Sequence, residues 1–181
     1  MKNLYLIRVK QEYIKYLKQF DSNVQDNSNE KKNKPYLGVL LQRGEQKYFV
    51  PLSSPKVKHN KFIDLEIQNK LPIDIFLIKE MKNNKLIGIL NINNMIPVID
   101  EVIEYFNIKE DKDFSLLQKE YVYCIKQQKA IIKKANIVYD LVTKHNKKSL
   151  IKRSCNFKLL EEKCMLYTNG DVYKWQESKG K

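Results

Sequence analysis

The apolar positions of this chain follow two rhythms, short alternating runs in the first half and helical spacing in the second. Between residues 36 and 51, an apolar and aromatic run breaks at Arg43-Gly44-Glu45 and then resumes. This pattern predicts a β-hairpin, because Gly44 supplies the backbone freedom of a tight turn and the flanking residues suit strands packed on a core. The alternation predicts further strands at residues 4–9, 63–67, 71–78, 86–92 and 95–98.

Helical spacing marks three other segments. Aromatic and apolar residues between Tyr13 and Phe20 recur every three or four positions, which places them on one helix face. Such a stripe usually packs into the core, although a phenol at a helix start, as at Tyr13, can also face a cleft. A short last helix is predicted at residues 157–167, and a long one begins near Phe114. The apolar seam of the long helix consists of Leu117, Tyr121, Cys124, Gln128, Ile131, Ala135, Val138 and Val142.

These elements predict an α+β fold in a single domain, residues 1–181. Because no helix separates the successive strands after residue 36, the order favours an antiparallel sheet. The length suffices for one hydrophobic core but not comfortably for two. The tail, from about residue 176 to 181, is expected to fray.

The charge balance indicates a polyanionic partner. The chain carries 34 Lys and Arg against 21 Asp and Glu, a formal charge of +13. Nucleic acid is therefore favoured over an acidic protein or a membrane surface. The segment from Lys119 to Arg153 is especially basic, and Lys119, Lys126, Lys129 and Lys133 fall away from the apolar seam. That lysine face is either a solvated surface or a track for RNA phosphates, and the sequence leaves both open.

Several classes of protein are disfavoured. Cys124, Cys155 and Cys164 are spaced neither as a zinc site nor as a disulfide framework, so reduced thiols are expected. No apolar run is long enough for a signal peptide or a membrane span, which predicts a cytoplasmic protein. The five glycines form no nucleotide-binding fingerprint. We therefore predict no metal, no cofactor and no membrane contact.

Hydroxyl and amino groups gather directly after the predicted hairpin, from Ser53 to His59. Hydroxyl-rich segments of this kind are often only turns. Pro55 favours an extended Ser54, so the two neighbouring serines should point to opposite sides. Lys56 and Lys58 should share a side if the extended backbone continues. Such a group of side chains can hold a phosphate, yet it contains no carboxylate for a metal.

RNA cleavage is the chemistry that these groups suit. Without a metal, the neighbouring 2′-hydroxyl attacks the phosphate, so the protein must remove its proton, offset the growing charge and protonate the 5′-oxygen that leaves. Lysines can transfer protons when desolvation or other cations lower their pKa. Our hypothesis is that Lys34 and Lys56 share proton transfer and charge stabilisation, while Ser53 and Ser54 hydrogen-bond the phosphate or the 2′-hydroxyl.

A second set of residues is predicted to bind RNA. Tyr36 and His59 would orient a base or a phosphate. A pair of histidines, His59 with His145, is another possible acid and base, but they lie far apart in the sequence. The predicted RNA-binding residues are Tyr13, Tyr36, Lys58, His59, Lys119, Lys126, Lys129 and Lys133.

Five blocks of sequence, in the same order and covering most of the chain, resemble the ToxN/AbiQ/CptN family of endoribonuclease toxins from type III toxin–antitoxin systems. No single block is decisive, whereas five in register are fairly specific. The blocks are Tyr13-Ile14-x-Tyr16-Leu17-x-x-Phe20-Asp21, Lys34-x-Tyr36-Leu37-Gly38, Pro51-Leu52-Ser53-Ser54-Pro55-Lys56-x-x-His59, Asn91-x-Asn93-x-Met95-Ile96-Pro97-Val98 and Cys155-Asn156-Phe157-x-Leu159-Leu160-Glu161-Glu162-Lys163.

The resemblance implies a fold and an activity. It implies a compact, strongly bent antiparallel sheet, barrel-like as in the MazF and Kid toxins, flanked by helices that include one long basic helix. It also implies a metal-independent endoribonuclease of phage abortive infection, which leaves a 2′,3′-cyclic phosphate. Lys34 and the block from Ser53 to Lys56 resemble the family's active-site elements. Ser53 stands where some relatives have threonine, and Glu30 lies near where some have tyrosine.

The resemblance further implies the partners. The inhibitor would be a repeat-derived RNA pseudoknot, not a protein antitoxin, that fills the groove of the cellular or phage RNA substrates and alternates with the toxin in a closed assembly. One competing interpretation is a basic RNA-binding or ribosome-associated module without catalysis. A DNA-binding regulator is disfavoured, because no short helix-turn-helix is recognisable.

Overall fold

A computed structural model of the chain describes residues 4–25, 35–111 and 113–168, and within them the chain forms seven strands and six α-helices. Lys34 and the predicted frayed tail lie outside the described residues. The strands are β1 (Tyr5–Val9), β2 (Tyr36–Arg43), β3 (Gln46–Ser53), β4 (Ile75–Lys79), β5 (Leu86–Asn91), β6 (Ile96–Val98) and β7 (Ile103–Glu104). The helices are α1 (Gln11–Phe20), α2 (Lys61–Ile67), α3 (Phe114–Lys126), α4 (Gln128–Thr143), α5 (Lys148–Ile151) and α6 (Phe157–Thr168).

The strands form one antiparallel sheet in the order β4-β5-β3-β2-β1-β7, and β6 adds to β3. The predicted hairpin is confirmed as β2 and β3, and Gly44 at its turn has a φ of 57°, a conformation that favours glycine. β3 is the central strand. Beyond its pairing with β2, its first half pairs with β6 and its end pairs with β5. The residues that follow β3 therefore leave the middle of the sheet rather than one of its edges.

The prediction of a barrel-like core is wrong, because the sheet stays open. Among the described residues, neither β4 at one end nor β7 at the other pairs with a further strand that would close the ring. At one edge β7 is only two residues long, and at the other edge α3 packs on β4. The two edge strands therefore do not pair with each other, as closing a barrel would require. The mixed α and antiparallel β architecture is confirmed, whereas a likeness to the MazF and Kid toxins stays a prediction.

An aromatic cluster joins the sheet to α4 and α6. The ring centroids of Tyr48, Tyr139 and Phe157 lie 5.6 to 5.9 Å apart. Both tyrosine hydroxyls donate hydrogen bonds to the Glu161 carboxylate, at 3.0 Å from Tyr48 and 2.6 Å from Tyr139. The polar atoms of this buried cluster are thus paired, which removes the cost of burying them.

The predicted long basic helix is interrupted at Gln127, whose φ of −98° and ψ of 11° lie outside helical geometry. α3 packs on β4 and β5, whereas α4 packs on β2. A bend between them lets one apolar seam follow a curved sheet, which a straight helix could not do. The seam itself is confirmed: Leu117, Cys124, Ile131, Ala135, Val138 and Val142 are buried, and Tyr121 and Gln128 are half-buried.

The strand predicted at residues 63–67 is wrong, because this segment forms α2. Phe62 and Ile63, which are adjacent in sequence, both pack on the apolar side chains of β4 and β5. Ile67, which the alternating pattern assigned to the buried side, is 74% exposed. Packing against the sheet therefore overrode a weak two-residue alternation.

Two further features bear on the cellular setting. The three cysteines are free and buried, at positions 124, 155 and 164. In the part of the chain that the structure describes, no helix has both the length and the apolar character that crossing a bilayer requires.

Candidate active site

A cleft of about 1280 Å³ opens where β3 ends, and we refer to it as the β3 cleft. Its rim is the segment from Ser53 to His59. Asn91 at the end of β5, Arg153 after α5 and Glu120 on α3 line its other walls. Small-ligand pockets measure about 300 to 1,000 Å³, so this cleft has room for a segment of a polymer.

The side of the sheet on which Ser53 lies follows from its partners. Ser53 Oγ accepts a long hydrogen bond of 3.4 Å from Asn91 Nδ2. Ser53 also pairs in register with Ile89, whose side chain belongs to the apolar cluster beneath α2. Ser54 follows the last residue of β3 and is exposed, and its direction opposite to Ser53 stays a prediction.

The turn after the serines is fixed by hydrogen bonds between Lys56 and His59. The His59 backbone N–H donates to the Lys56 carbonyl at 2.7 Å, and the Lys56 backbone N–H donates to His59 Nδ1 at 3.0 Å. The imidazole is buried, 9% exposed, and stacks on Phe62 with a centroid distance of 5.3 Å. Since Nδ1 accepts a hydrogen bond, the proton of the neutral ring lies on Nε2.

The surroundings of His59 favour its neutral form. Burial is the larger cause that lowers the pKa of His59 below its ordinary value, and the positive charges of Lys58 and Lys56 lower it further. Both lysines are exposed on the rim of the cleft. We predicted that His59 orients RNA. Its ring also has a structural role, because it accepts the hydrogen bond that fixes the backbone of Lys56.

The predicted catalytic residue Lys34 lies outside the described residues, but its neighbour is placed. Pro35 lines the β3 cleft, and its carbonyl accepts a hydrogen bond of 3.0 Å from the Leu52 backbone N–H. The chain therefore enters β2 alongside the last residues of β3. This arrangement brings the sequence next to Lys34 to the same rim as Ser53.

Sequence reasoning missed an ion pair in the wall of the cleft. The Arg153 guanidinium donates from Nε and Nη2 to both oxygens of the Asp74 carboxylate, at 2.8 and 2.7 Å. Asp74 is buried, whereas the Arg153 side chain is 48% exposed. A guanidinium held in one orientation can present its plane or charge to RNA. Asp74, which interrupts an otherwise apolar run, was the available signal in the sequence.

Sequence reasoning also missed Glu120, a carboxyl group in the α3 wall. Glu120 is 4% exposed. It lies three residues after Leu117 and four before Cys124, so helical spacing puts it on the apolar seam. Tyr121, which we predicted for that place on the seam, is only half-buried.

Tyr13 and Tyr36, which we predicted to bind RNA, are buried, and RNA contact by either tyrosine stays a prediction. Tyr13 is fully buried, and its hydroxyl donates to the Pro97 carbonyl at 2.7 Å. Tyr36 is 2% exposed within β2. Neither residue lines the cleft formed by the described part of the chain. Both rings pack in the core because they lie on the inner faces of a helix and a strand.

The predicted lysine track lies apart from the cleft. Lys126, Lys129 and Lys133 are exposed on α3 and α4, and they line no wall of the β3 cleft. Lys119 is engaged in an ion pair of 2.7 Å with Glu80. RNA binding by these lysines stays a prediction. The α3–α4 surface is a second basic region, whereas the cleft holds the rim lysines.

A metal site is not apparent in residues 4–25, 35–111 and 113–168. Within them, no group of three or more His, Cys, Asp or Glu side chains is arranged to hold a metal ion. Two of the aspartates that line the cleft form ion pairs instead, Asp111 with Arg8 at 2.6 Å and Asp74 with Arg153.

Comparison with known proteins agrees with this arrangement. The family model described as "Toxin ToxN, type III toxin-antitoxin system" matches residues 5–165. The endoribonuclease ToxN of Bacillus thuringiensis subsp. kurstaki is 34% identical over 90% of this chain and 84% of its own length. The structure of AbiQ, a lactococcal anti-phage endoribonuclease of a type III system, superimposes with a TM-score of 0.80 and 29% identity, over 93% of this chain and 99% of AbiQ.

A second solved structure belongs to a bacterial type III toxin–antitoxin system in which a non-coding RNA pseudoknot selectively inhibits the toxin. It superimposes with a TM-score of 0.78 and 30% identity, over 92% of this chain and 99% of that one. These matches confirm the resemblance inferred from the five sequence blocks. The chain belongs to the ToxN family of type III toxin–antitoxin toxins.

Proposed function

We propose that this protein is a metal-independent endoribonuclease, the toxin of a type III system that acts in phage abortive infection. The observation that carries the proposal is the rim of the β3 cleft, where the hydroxyl groups of Ser53 and Ser54 and the exposed Lys56 and Lys58 line one cleft. The membership of the chain in the ToxN family supports an RNA substrate. The function would be exercised in the cytoplasm, where cellular and phage RNA are found.

The proposed reaction is attack by a 2′-hydroxyl on the adjacent phosphate, which leaves a 2′,3′-cyclic phosphate and a 5′-hydroxyl. Ser53 and Ser54 would hydrogen-bond the scissile phosphate or the 2′-hydroxyl from the two sides of the strand. Lys56 would offset the charge on the phosphate oxygens, and Lys34 and Lys56 would share proton transfer. The exposure of Lys56 and its backbone anchor to His59 suit this role.

The proposed inhibitor is an RNA pseudoknot derived from a repeat, not a protein antitoxin. The formal charge of +13 favours such a partner, and the related system solved with an inhibitory pseudoknot supports it. The basic rim and the separate α3–α4 lysines would allow one protein to contact two RNA molecules. Head-to-tail contacts of this kind can close a ring of alternating toxin and RNA.

Lys56→Ala and Ser54→Ala test the proposal directly. Each variant should lose at least about 100-fold in the rate of RNA cleavage, because each removes a group that acts on the reacting phosphate. Affinity for the RNA should fall far less. Lys15→Ala, on an exposed part of α1 outside the cleft, is the matched control for lost charge. Cleavage should persist in EDTA, and activity restored only by divalent ions would contradict the metal-free reaction.

The competing interpretation, an RNA-binding module without catalysis, predicts a different result. Such a protein would bind RNA tightly and show no cleavage that Lys56→Ala could remove. Expression of the wild-type chain without its RNA partner separates the two interpretations in cells. Growth arrest that Lys56→Ala relieves supports the enzyme, whereas unchanged growth supports the binding module.

A further inference from the structure

The α3 wall of the β3 cleft contains an acid that the proposed mechanism does not use. Glu120 is 4% exposed and lines the same cleft as Ser54 and Lys56. Burying a carboxyl group costs stability, so its presence in a wall of the cleft suggests a use in the complex with RNA.

Gly88 makes room for this carboxyl group. A Cβ atom at position 88 would lie 2.4 Å from Glu120 Oε1, closer than atoms can approach. Gly88 lies within β5, a strand with neighbours on both sides, where glycine weakens a sheet. The sheet therefore carries a destabilising residue at the point where the carboxyl group of α3 rests on it.

The end of β3 lies close to the strand residue on which Glu120 rests. Leu52 pairs with Leu90 and Ser53 with Ile89, the residue that follows Gly88. Ser53 is the last residue of β3, and Ser54 follows it directly at the rim of the same cleft. The carboxyl group against Gly88 and the hydroxyl groups at the end of β3 therefore belong to adjoining parts of one cleft.

The surroundings of Glu120 adjust its acidity. Burial, and to a smaller degree the charge of Asp113, raise the pKa of Glu120 to about 7. On the sheet side the carboxyl group lies against Gly88, and Cys124 follows on the same helix. Arg8, which lines the same cleft, forms an ion pair with Asp111. An acid whose pKa lies near the working pH transfers protons most effectively.

We propose that Glu120 is the general base that removes the proton from the attacking 2′-hydroxyl. This inference rests on the proposed function and deepens it. The carboxylate takes the 2′-hydroxyl proton as the 2′-oxygen bonds to phosphorus. The bond from phosphorus to the 5′-oxygen breaks, and that oxygen takes a proton from the ammonium group of Lys56 or Lys34. Lysine then serves as acid and charge stabiliser rather than as base.

Glu120→Gln, which keeps the shape of the side chain, is the first test. Its rate of RNA cleavage should fall by about 10²- to 10⁴-fold while RNA affinity is retained. The cleavage rate of the wild type should rise with pH up to about 7 and then stay constant. The cleavage rate of Glu120→Gln should not show this rise. Glu12→Gln, an exposed position on α1, is the control and should cleave normally. Cleavage by Glu120→Gln at the wild-type rate would overturn the proposal.

A substrate with sulfur in place of the 5′-oxygen at the scissile phosphate separates the base from the acid. A thiolate leaves without a proton, since thiol pKa values are about 8.5. Lys56→Ala should therefore recover much of its rate on this substrate, whereas Glu120→Gln should stay slow. Recovery of Glu120→Gln would overturn the role of base. If Lys56→Ala already cleaves ordinary RNA normally, the proposed reaction site fails, whatever Glu120 does.

Glu120→Asp tests the proposal independently if Glu120→Gln fails to fold. It keeps a carboxyl group but withdraws it by one methylene, so it should retain a reduced rate that still rises with pH. A rate that does not depend on pH in this variant would contradict proton removal by the carboxyl group. RNA affinity, measured for each variant at one salt concentration, verifies that the cleft is intact.

Discussion

Two walls of the β3 cleft differ in how they are built. The rim from Ser53 to His59 is continuous in sequence, and its lysines are exposed. The α3 wall combines Glu120 with Gly88, which are distant in sequence and both buried. Rim variants should therefore change chemistry with little effect on stability, whereas α3-wall variants should change both. Cleavage rates alone can be interpreted at the rim, but the α3 wall also requires measurements of unfolding.

The largest expected difference in stability depends on pH. The pKa of Glu120 is raised from 4.5 to about 7, so the folded protein holds a proton that the unfolded chain releases. The stability that this proton confers is complete below about pH 4.5 and is lost as pH rises through about 7. The free energy of unfolding of the wild type, measured with urea, should therefore fall by about 3 kcal/mol relative to that of Glu120→Gln between about pH 4.5 and 7. Parallel curves for the two proteins would contradict a buried, strained acid.

A smaller effect is expected for Gly88→Ala. The added methyl group would lie 2.4 Å from Glu120 Oε1. Because this oxygen is the far end of a flexible side chain that can shift, the free energy of unfolding should drop by only about 1 kcal/mol. Combining it with Glu120→Ala should recover part of the loss, because the clash is removed.

Gly38→Ala is the matched control for that double variant. Its Cβ atom would lie 2.4 Å from the Phe49 ring, a clash that does not involve Glu120. The loss should be larger than for Gly88→Ala, because the ring is rigid and fully buried. Combining Gly38→Ala with Glu120→Ala should give additive losses. Additive losses for the Gly88 pair as well would show that Gly88 does not seat the carboxyl group.

The smallest effect on stability should come from Lys56→Ala. The side chain is exposed, so the free energy of unfolding should change by less than about 0.5 kcal/mol. His59→Ala should cost more, because it leaves the Lys56 backbone N–H without its partner and Phe62 without its stacked ring. A large loss of stability in Lys56→Ala would erase the contrast between the two walls.

The local parts of this site were predictable from the sequence. Gly44 between two apolar runs predicted the hairpin that ends at Ser53. The burial of Tyr13 and Tyr36 was not predictable, because residue type does not reveal which face of an element is buried. α2 was taken for a strand because its two-residue alternation was weaker than its packing on the sheet.

By itself, the sequence determined the hairpin, the helical seam, the basic charge and the family blocks, because each depends on neighbours in the chain or on composition. Only the tertiary structure decided that the sheet stays open, that the long helix breaks at Gln127, and that Glu120 reaches the cleft. Contacts between residues far apart in sequence leave no local periodicity. The Glu120 carboxyl group of α3 packs against Gly88 of β5. This packing buries the carboxyl group, and burial raises its pKa and underlies its proposed role.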